Sequence, residues 1–531
     1  MSGFVERVIE DWLTNCDEQS YQASFVSLLI RSGHKIKYVS KHSTLEFGKD
    51  IVSTSPDGEL TAYQLKAGNI NLAQWRQIRG EVYELTEQPV RGPSGRKLRR
   101  ADKCFLVTTG TIADTVLEQL RASNTDYLDK GWPEIETIDL YGLIKRFVDA
   151  FAEFVPTTLG SFSELVRIYL SDGKGPIDKE LFSSVLKGLL PAREHGKRRM
   201  SRALSNLVVA AEFSSTPFRL TNNHISVIDV WTLAACRITS TARRFNLRGS
   251  QWLPWLGLCH TAIKAAGSRL LDEVHGREDY VEGDLLTDML VLQYRTTVAL
   301  GYAAAVTNSR SIEGLDTREE GRNLLATVVK HFPSSRIWGE GSWNYYFNIA
   351  IAVSTSPQGE LTAVGLMVSW LNAICSKQVM NPPYFTVESA LSPDASEDRD
   401  RQERVPAFYS LGSAIDFLSR KMWRQHLASY WRRISKRQLA ELVPDATVDH
   451  FEWMIEDATL EVRHLPMRGS WRELRRESFG QRSDLFTDED AWLIPYMLCC
   501  YPHRVSRKLS GELHYRTAGK AARREWDRKE K

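Results

Sequence analysis

Val5, Val8, Ile9, Trp12 and Leu13 recur at the spacing of one helix face, and after Asp17-Glu18 the pattern repeats in Tyr21, Phe25, Leu28 and Leu29. Gly33 stands where that second helix should end. The period then changes. Lys35-Ile36-Lys37-Tyr38-Val39 alternates as a strand does, and two more strand-like runs follow at Phe47–Val52 and Ala62–Lys66. Between these two runs, Ser55-Pro56-Asp57-Gly58-Glu59 collects the residues of a tight turn. Trp75, Ile78, Val82 and Leu85 mark a helix that ends before Pro89. Cys104–Thr108 is a continuous apolar strand of the buried kind. A helix on Ile112, Val116, Leu117 and Leu120, a strand over Ile135–Leu140 and a closing helix over Leu143–Phe154 complete the series. After the opening helix pair the order is three strands, helix, strand, helix, strand, helix, which predicts a mixed sheet flanked by helices.

Pro156-Thr157-Thr158-Leu159-Gly160 reads as the first domain boundary, and beyond it helical periodicity takes over. Leu165, Ile168 and Tyr169, then Leu181, Val185 and Leu189, then Leu204, Val208 and Ala211 mark short amphipathic helices. Longer runs follow at Ile225–Ile238 and Leu285–Val306. Trp231, Trp252, Trp255, Trp338, Trp343 and Trp370 recur without a fixed period, so no known repeat is assigned and they are expected in the core. Ser392–Arg404 is charged, with only Pro393 and Ala395 apolar, and reads as a linker. The expected organisation is therefore an α/β domain over 1–157, an α-helical domain over 158–391, a linker over 392–405 and a C-terminal helical domain over 406–531.

Composition changes this picture little. The 531 residues are 42% hydrophobic and 25% charged, the balance of an ordinary globular chain. A net charge of +3 gives no general attraction to nucleic acid, so such binding must come from local patches. No apolar run is long enough to span a bilayer, and Met1–Glu6 lacks the basic and apolar regions of a secretory signal. The seven cysteines include no Cys-x-x-Cys pair, which argues against a zinc site and a disulfide framework and for reduced thiols in a cytoplasm. A zinc-hydrolase histidine pair, a phosphate-binding Gly-Lys-Ser/Thr loop and a Gly-x-Ser-x-Gly elbow are all absent.

Candidate chemistry concentrates in the second and third strands. Gln64 and Lys66 share one face of their strand, and pairing across the turn brings Asp50 beside them. A carboxylate, an amide oxygen and an ammonium then converge at a strand end. Oxygen ligands of this kind suit Mg²⁺, and a nearby ammonium can orient water or offset developing negative charge. A second patch is the loop Arg91–Lys103, whose Arg96, Lys97, Arg99 and Arg100 read either as a phosphate clamp or as a solvated charge run.

Gly48-Lys49-Asp50-Ile51 followed by Gln64-Leu65-Lys66 resembles the signature of the PD-(D/E)XK nuclease superfamily, most closely its Mrr-like restriction-endonuclease branch. The resemblance covers roughly the first 150 residues. It implies a restriction-endonuclease-like fold, DNA as substrate, and a role in bacterial restriction or anti-phage defence. It also implies Mg²⁺ or Mn²⁺ held by Asp50, Gln64 and the backbone carbonyl of Leu65, with Lys66 positioning or deprotonating the attacking water. In that family a glutamate on the helix before the first strand completes the site. Here the equivalent place holds Gln22, with Glu18 one turn earlier and Glu46 nearer Asp50 in sequence, so Glu18 and Gln22 both stand as candidates. Glutamine at both 22 and 64 lowers the negative charge and weakens Mg²⁺ binding. On this reading the helical region is a sensor or assembly module, and a homo-oligomer or a partner defence subunit is left open. The competing reading is a nuclease fold retained only for nucleic-acid binding or as a protein scaffold. Residues 160–531 acting as a nucleic-acid-binding superhelix is a third possibility.

Overall fold

The computed structural model describes residues 2–40, 48–90, 99–154, 159–190, 197–276, 289–331, 340–354, 357–375, 407–421, 423–435, 438–443, 451, 461–465, 470–480, 486–502, 504, 506–518 and 523. The chain divides into two compact units, one formed by 1–223 with 245–261 and the other by 224–244 with 262–531.

The first unit opens with helices α1 (Ser2–Asn15) and α2 (Glu18–Arg31). Gly33, at φ +86°, ends α2 in the left-handed conformation that favours glycine, and the next amide, of His34, bonds back to the carbonyl of Leu29 at 2.9 Å. Strands β1 (Lys35–Val39), β2 (Ile51–Thr54) and β3 (Leu60–Lys66) then run antiparallel. The turn between β2 and β3 closes as its composition predicts. Ser55 N–H bonds the Glu59 carbonyl at 2.8 Å, and Gly58 sits at φ +89°. Helix α3 (Leu72–Glu87) leads to β4 (Lys103–Thr108), and α4 (Asp114–Asp129) leads to β5 (Ile135–Ile138). Both of these strands join in parallel, giving the order β1-β2-β3-β4-β5, and α5 (Leu140–Phe154) follows. This is the mixed, helix-flanked sheet expected from the order of elements.

Side-chain alternation along β3 divides the core between the two sheet faces. Tyr63 and Leu65 pack with Trp12 of α1, Phe25 of α2 and Phe147 of α5. Leu60 and Ala62 pack with Trp75 of α3 and Val116 of α4. The strand expected at Phe47–Val52 starts later, at Ile51. Gly48 breaks the extended run with φ +67°, and the strand begins only beyond Asp50.

The compact unit does not end at the expected boundary of 157. Helices α6 (Leu159–Tyr169), α7 (Lys179–Gly188) and α8 (Lys197–Leu220) belong to it. Tyr169 supplies the reason, donating to Asp11 at 2.7 Å and stacking on Phe213 at 4.2 Å. Arg31 of α2 bonds Asn206 of α8 at 3.0 Å. The α8 helix thus completes the cover of α2, a tertiary role that periodicity does not reveal.

The second unit is built on the helix His224–Arg244, buried along almost its whole length. The helices Met289–Ile312 and Trp343–Val353 meet where Gly301 leaves room for Tyr345; a Cβ there would lie 2.5 Å from that ring. The expected division at the 392–405 linker, itself outside the described residues, is not a division between units. Asn348 bonds the Pro495 carbonyl at 3.3 Å, and Trp370 bonds Ser410 at 3.0 Å, so residues from both sides share one core. The C-terminal region is also not purely helical. β6 (Ala407–Phe408), β7 (Gln438–Val443) and β8 (Glu461–Leu465) form a three-stranded sheet. Trp231, Trp255, Trp343 and Trp370 are core residues, as expected, whereas Trp252 is only partly buried and Trp338 lies outside the described residues. Among the described residues, six cysteines are buried and joined in no disulfide, and no helix is long and apolar enough to cross a membrane.

Candidate active site

The sheet register brings the motif residues together. Ile51 pairs with Tyr63, so Asp50 falls opposite the Gln64–Lys66 end of β3. Asp50 N–H bonds the Tyr63 carbonyl at 2.9 Å, and its side-chain Oδ2 accepts Leu65 N–H at 2.6 Å. The carboxylate therefore stands in for a backbone acceptor that β2 no longer offers. The Lys66 carbonyl is engaged by Thr109 N–H on the β4 side. Alternation of the ladder turns the Leu65 amide and carbonyl the other way, toward Asp50.

Gln64 is 3% exposed, and its Oε1 has no hydrogen-bond partner among the described residues. A buried acceptor left unsatisfied costs about 1–3 kcal/mol. An oxygen in that condition, on the face shared with Asp50 and Lys66, has the character of a cation ligand.

Lys66 Nζ lies 2.8 Å from Glu81 Oε2 and 3.5 Å from Glu18 Oε2. Glu18 comes from α2 on one face of the sheet and Glu81 from α3 on the other. Burial pulls the lysine's pKa down, but the Glu81 hydrogen bond and the charges of Glu18, Glu81 and Asp50 outweigh it and raise the pKa above its ordinary value. Lys66 is thus an ammonium. Tyr21 sits beside it, donating to the carbonyls of Lys66 at 3.0 Å and Val107 at 3.3 Å. Burial, with Glu18 and Asp50 nearby, drives its phenol well above the usual range.

Of the two helix candidates, the Glu18 carboxylate is the one that reaches Lys66. Gln22 is buried in α2, at 5% exposure. Glu46 lies outside the described residues. Glu81 was not legible as a site residue, because it shares α3 with Glu84 and Glu87 and only the fold shows which one meets Lys66. The step before Asp50 is pressed against the same helix. A Cβ on Gly48 would stand 2.1 Å from the Glu81 carbonyl oxygen. Lys49 Nζ donates to the Glu84 carbonyl at 3.0 Å, and burial lowers its pKa to about 8.

Of the basic loop's candidates, only Arg99 and Arg100 fall among the described residues, and both are engaged away from Lys66. Arg96 and Lys97 lie outside the described residues. Arg99 pairs with Asp102 at 2.8 Å, while Arg100 bonds the Glu87 carbonyl and stacks over Trp132 at 5.1 Å. Asp102 in turn accepts Leu60 N–H at 2.6 Å, which puts these arginines at the start of β3. Lys66 is at its other end, roughly 20 Å along a strand of this length.

Among the described residues, no three His, Cys, Asp or Glu side chains already converge on a metal position. The donor set on the sheet is one carboxylate, one amide oxygen and one carbonyl, all hard oxygens that fit Mg²⁺ or Mn²⁺ and not a thiophilic metal. Comparison of the chain with family models, with curated proteins and with solved structures gives no match.

Proposed function

We propose that the first unit is a metal-dependent endonuclease that hydrolyses phosphodiester bonds of DNA, in a restriction or anti-phage role. The observation that carries this reading is the convergence of Asp50, Gln64, Lys66 and Glu18 at the end of β3, with the Gln64 oxygen buried and unpartnered. The choice of DNA, and the defence role, follow the resemblance of Gly48-Lys49-Asp50-Ile51 and Gln64-Leu65-Lys66 to Mrr-like restriction endonucleases.

Asp50, the Gln64 oxygen and the Leu65 carbonyl would hold Mg²⁺ or Mn²⁺. A divalent cation there would polarise the scissile phosphate, acidify a bound water and stabilise the leaving oxygen. The remaining chemistry belongs to the chain. Lys66, which meets Glu18 and Glu81, would position or deprotonate the attacking water and offset charge on the phosphoryl oxygens. Asp50 is oriented by its own fold, because its carboxylate also closes the β2–β3 ladder. On α3, Arg76 and Arg79 are exposed and have no ion-pair partner among the described residues, which suits them to backbone phosphates better than the tethered Arg99 and Arg100.

The test is cleavage of plasmid and linear DNA with Mg²⁺, Mn²⁺ or EDTA, beside Asp50→Ala and Lys66→Ala. Metal-dependent cutting lost in both variants supports the reading. Cutting that survives either substitution overturns the assigned site. The second reading, a fold that binds nucleic acid without cutting it, is favoured by glutamine at both 22 and 64. Tight binding with no cutting under any metal would select it.

A further inference from the structure

We propose that Glu81 of α3 is a metal-ligating carboxylate, supplying from the opposite face of the sheet the charge that Gln22 does not. The inference rests on the metal-dependent reading above and names a ligand outside the motif. Three observations lead to it.

The first is charge. Asp50 and Lys66 alone are neutral together, a poor match for a divalent cation. Adding Glu18 and Glu81, both of which contact Lys66, leaves two negative charges in excess, which a divalent cation neutralises. The second is the backbone. The Gly48–Asp50 step can lie against α3 only because position 48 has no side chain, and the atom it approaches is the carbonyl oxygen of Glu81 itself. The close approach therefore sets the Gly48–Asp50 step against the backbone of Glu81, although 33 positions separate Gly48 from Glu81 in sequence. The third is the Gln64 oxygen, buried on the same face without a partner. It is a ligand position already formed and independent of the acidic residues.

The carboxylates now surround the Lys66 ammonium rather than a common point, so cation binding requires one of them to turn. Glu81 is the side chain free to do so. It is 53% exposed, against 29% for Glu18, and its helix holds its backbone in place. On this view Lys66 and the cation compete for Glu81, and the lysine keeps that carboxylate near the site until a cation arrives.

The test is Mn²⁺ binding to the full chain, read by calorimetry and by the electron paramagnetic resonance of free Mn²⁺, alongside DNA cleavage. Glu81→Gln should weaken Mn²⁺ binding by about tenfold or more, the scale of losing a strong determinant of a metal site. Glu84→Gln, one turn along the same exposed helix, should leave it unchanged. Lys66→Met should tighten Mn²⁺ binding by removing the competing ammonium, and Glu81→Gln should weaken it again in that background. Unchanged Mn²⁺ affinity in Glu81→Gln, with wild type still binding Mn²⁺ and cutting DNA, overturns the role of Glu81 and leaves the nuclease reading standing. No Mn²⁺ binding by wild type overturns both.

Discussion

The charged clusters around Arg507 in the second unit and Lys66 in the first use their side chains differently. In the second unit Arg507 is 5% exposed and Asp416 2%, and the two meet at 2.8 and 3.0 Å, with Glu477 at 3.0 Å on the remaining nitrogen. Arg420 spends its donors on the Ser478 carbonyl, and Asn308 donates to the carbonyl and side-chain oxygens of Asn348. These groups are matched donor to acceptor and deeply enclosed. At the end of β3 the matching is incomplete: Gln64 keeps an unpartnered oxygen, and Lys66 is shared between two carboxylates that reach solvent. Closed pairing is what holds a core together. Polar capacity left open at a strand end is what a ligand can use.

The largest effect expected is at Asp50. Asp50→Ala should cut DNA cleavage by about 10²- to 10³-fold or more, as loss of a principal electrostatic group does. Asp50→Asn, which can still accept the Leu65 amide, should fold better yet remain inactive in the same assay. If Asp50→Asn cuts normally, the carboxylate is only a ladder cap and the contrast between the units fails. In the second unit, Arg507→Met should lower stability by about 3–5 kcal/mol, the scale for an uncompensated buried partner. Denaturant unfolding measures that loss, and Mn²⁺ affinity should not move.

Lys49 refines the contrast, since it is a buried charge in the first unit that burial disfavours. Its pKa falls to about 8 from 10.5, so the unfolded chain holds this proton more tightly than the folded one. Stability on its account therefore rises with pH between those values. Lys49→Met should stabilise the protein at pH 7 by something on the order of 2 kcal/mol, after allowing for the lost Glu84 hydrogen bond. Unfolding curves across pH should show that gain shrinking between about 8 and 10.5. The smallest effect separates the two helix candidates. Glu18→Gln should weaken metal-dependent cleavage by about tenfold, while Gln22→Ala changes it little beyond any loss of packing. The reverse ranking would return the position to Gln22.

What could be read in the sequence follows from the range of the interactions involved. The β2–β3 hairpin was legible because its turn residues and the alternation around Gln64 and Lys66 are local, and they dictate the register that delivers Asp50. The helix-flanked sheet was legible because each element carries its own period. Glu81 was not, since its meeting with Lys66 depends on where α3 lies against Gly48. Nor were the true limits of the first unit, because Tyr169 and Asn206 join it through contacts made more than a hundred residues away. The β6–β8 sheet was missed because β7 and β8 are short runs amid charged and helical-looking sequence. The placement of Arg99 and Arg100 was not legible for a simpler reason: charge density in a sequence does not say at which end of a strand the charges fall.

Helix α2 carries Glu18 at its first residue and Tyr21 one turn in, and further along it meets α8 through Ser27 and Arg31. One phenol thereby bolts the ends of β3 and β4 to a helix whose far half is gripped by an appended element. Helix α2 is therefore shared ground, its first turn engaged with the end of β3 and its last residue with α8.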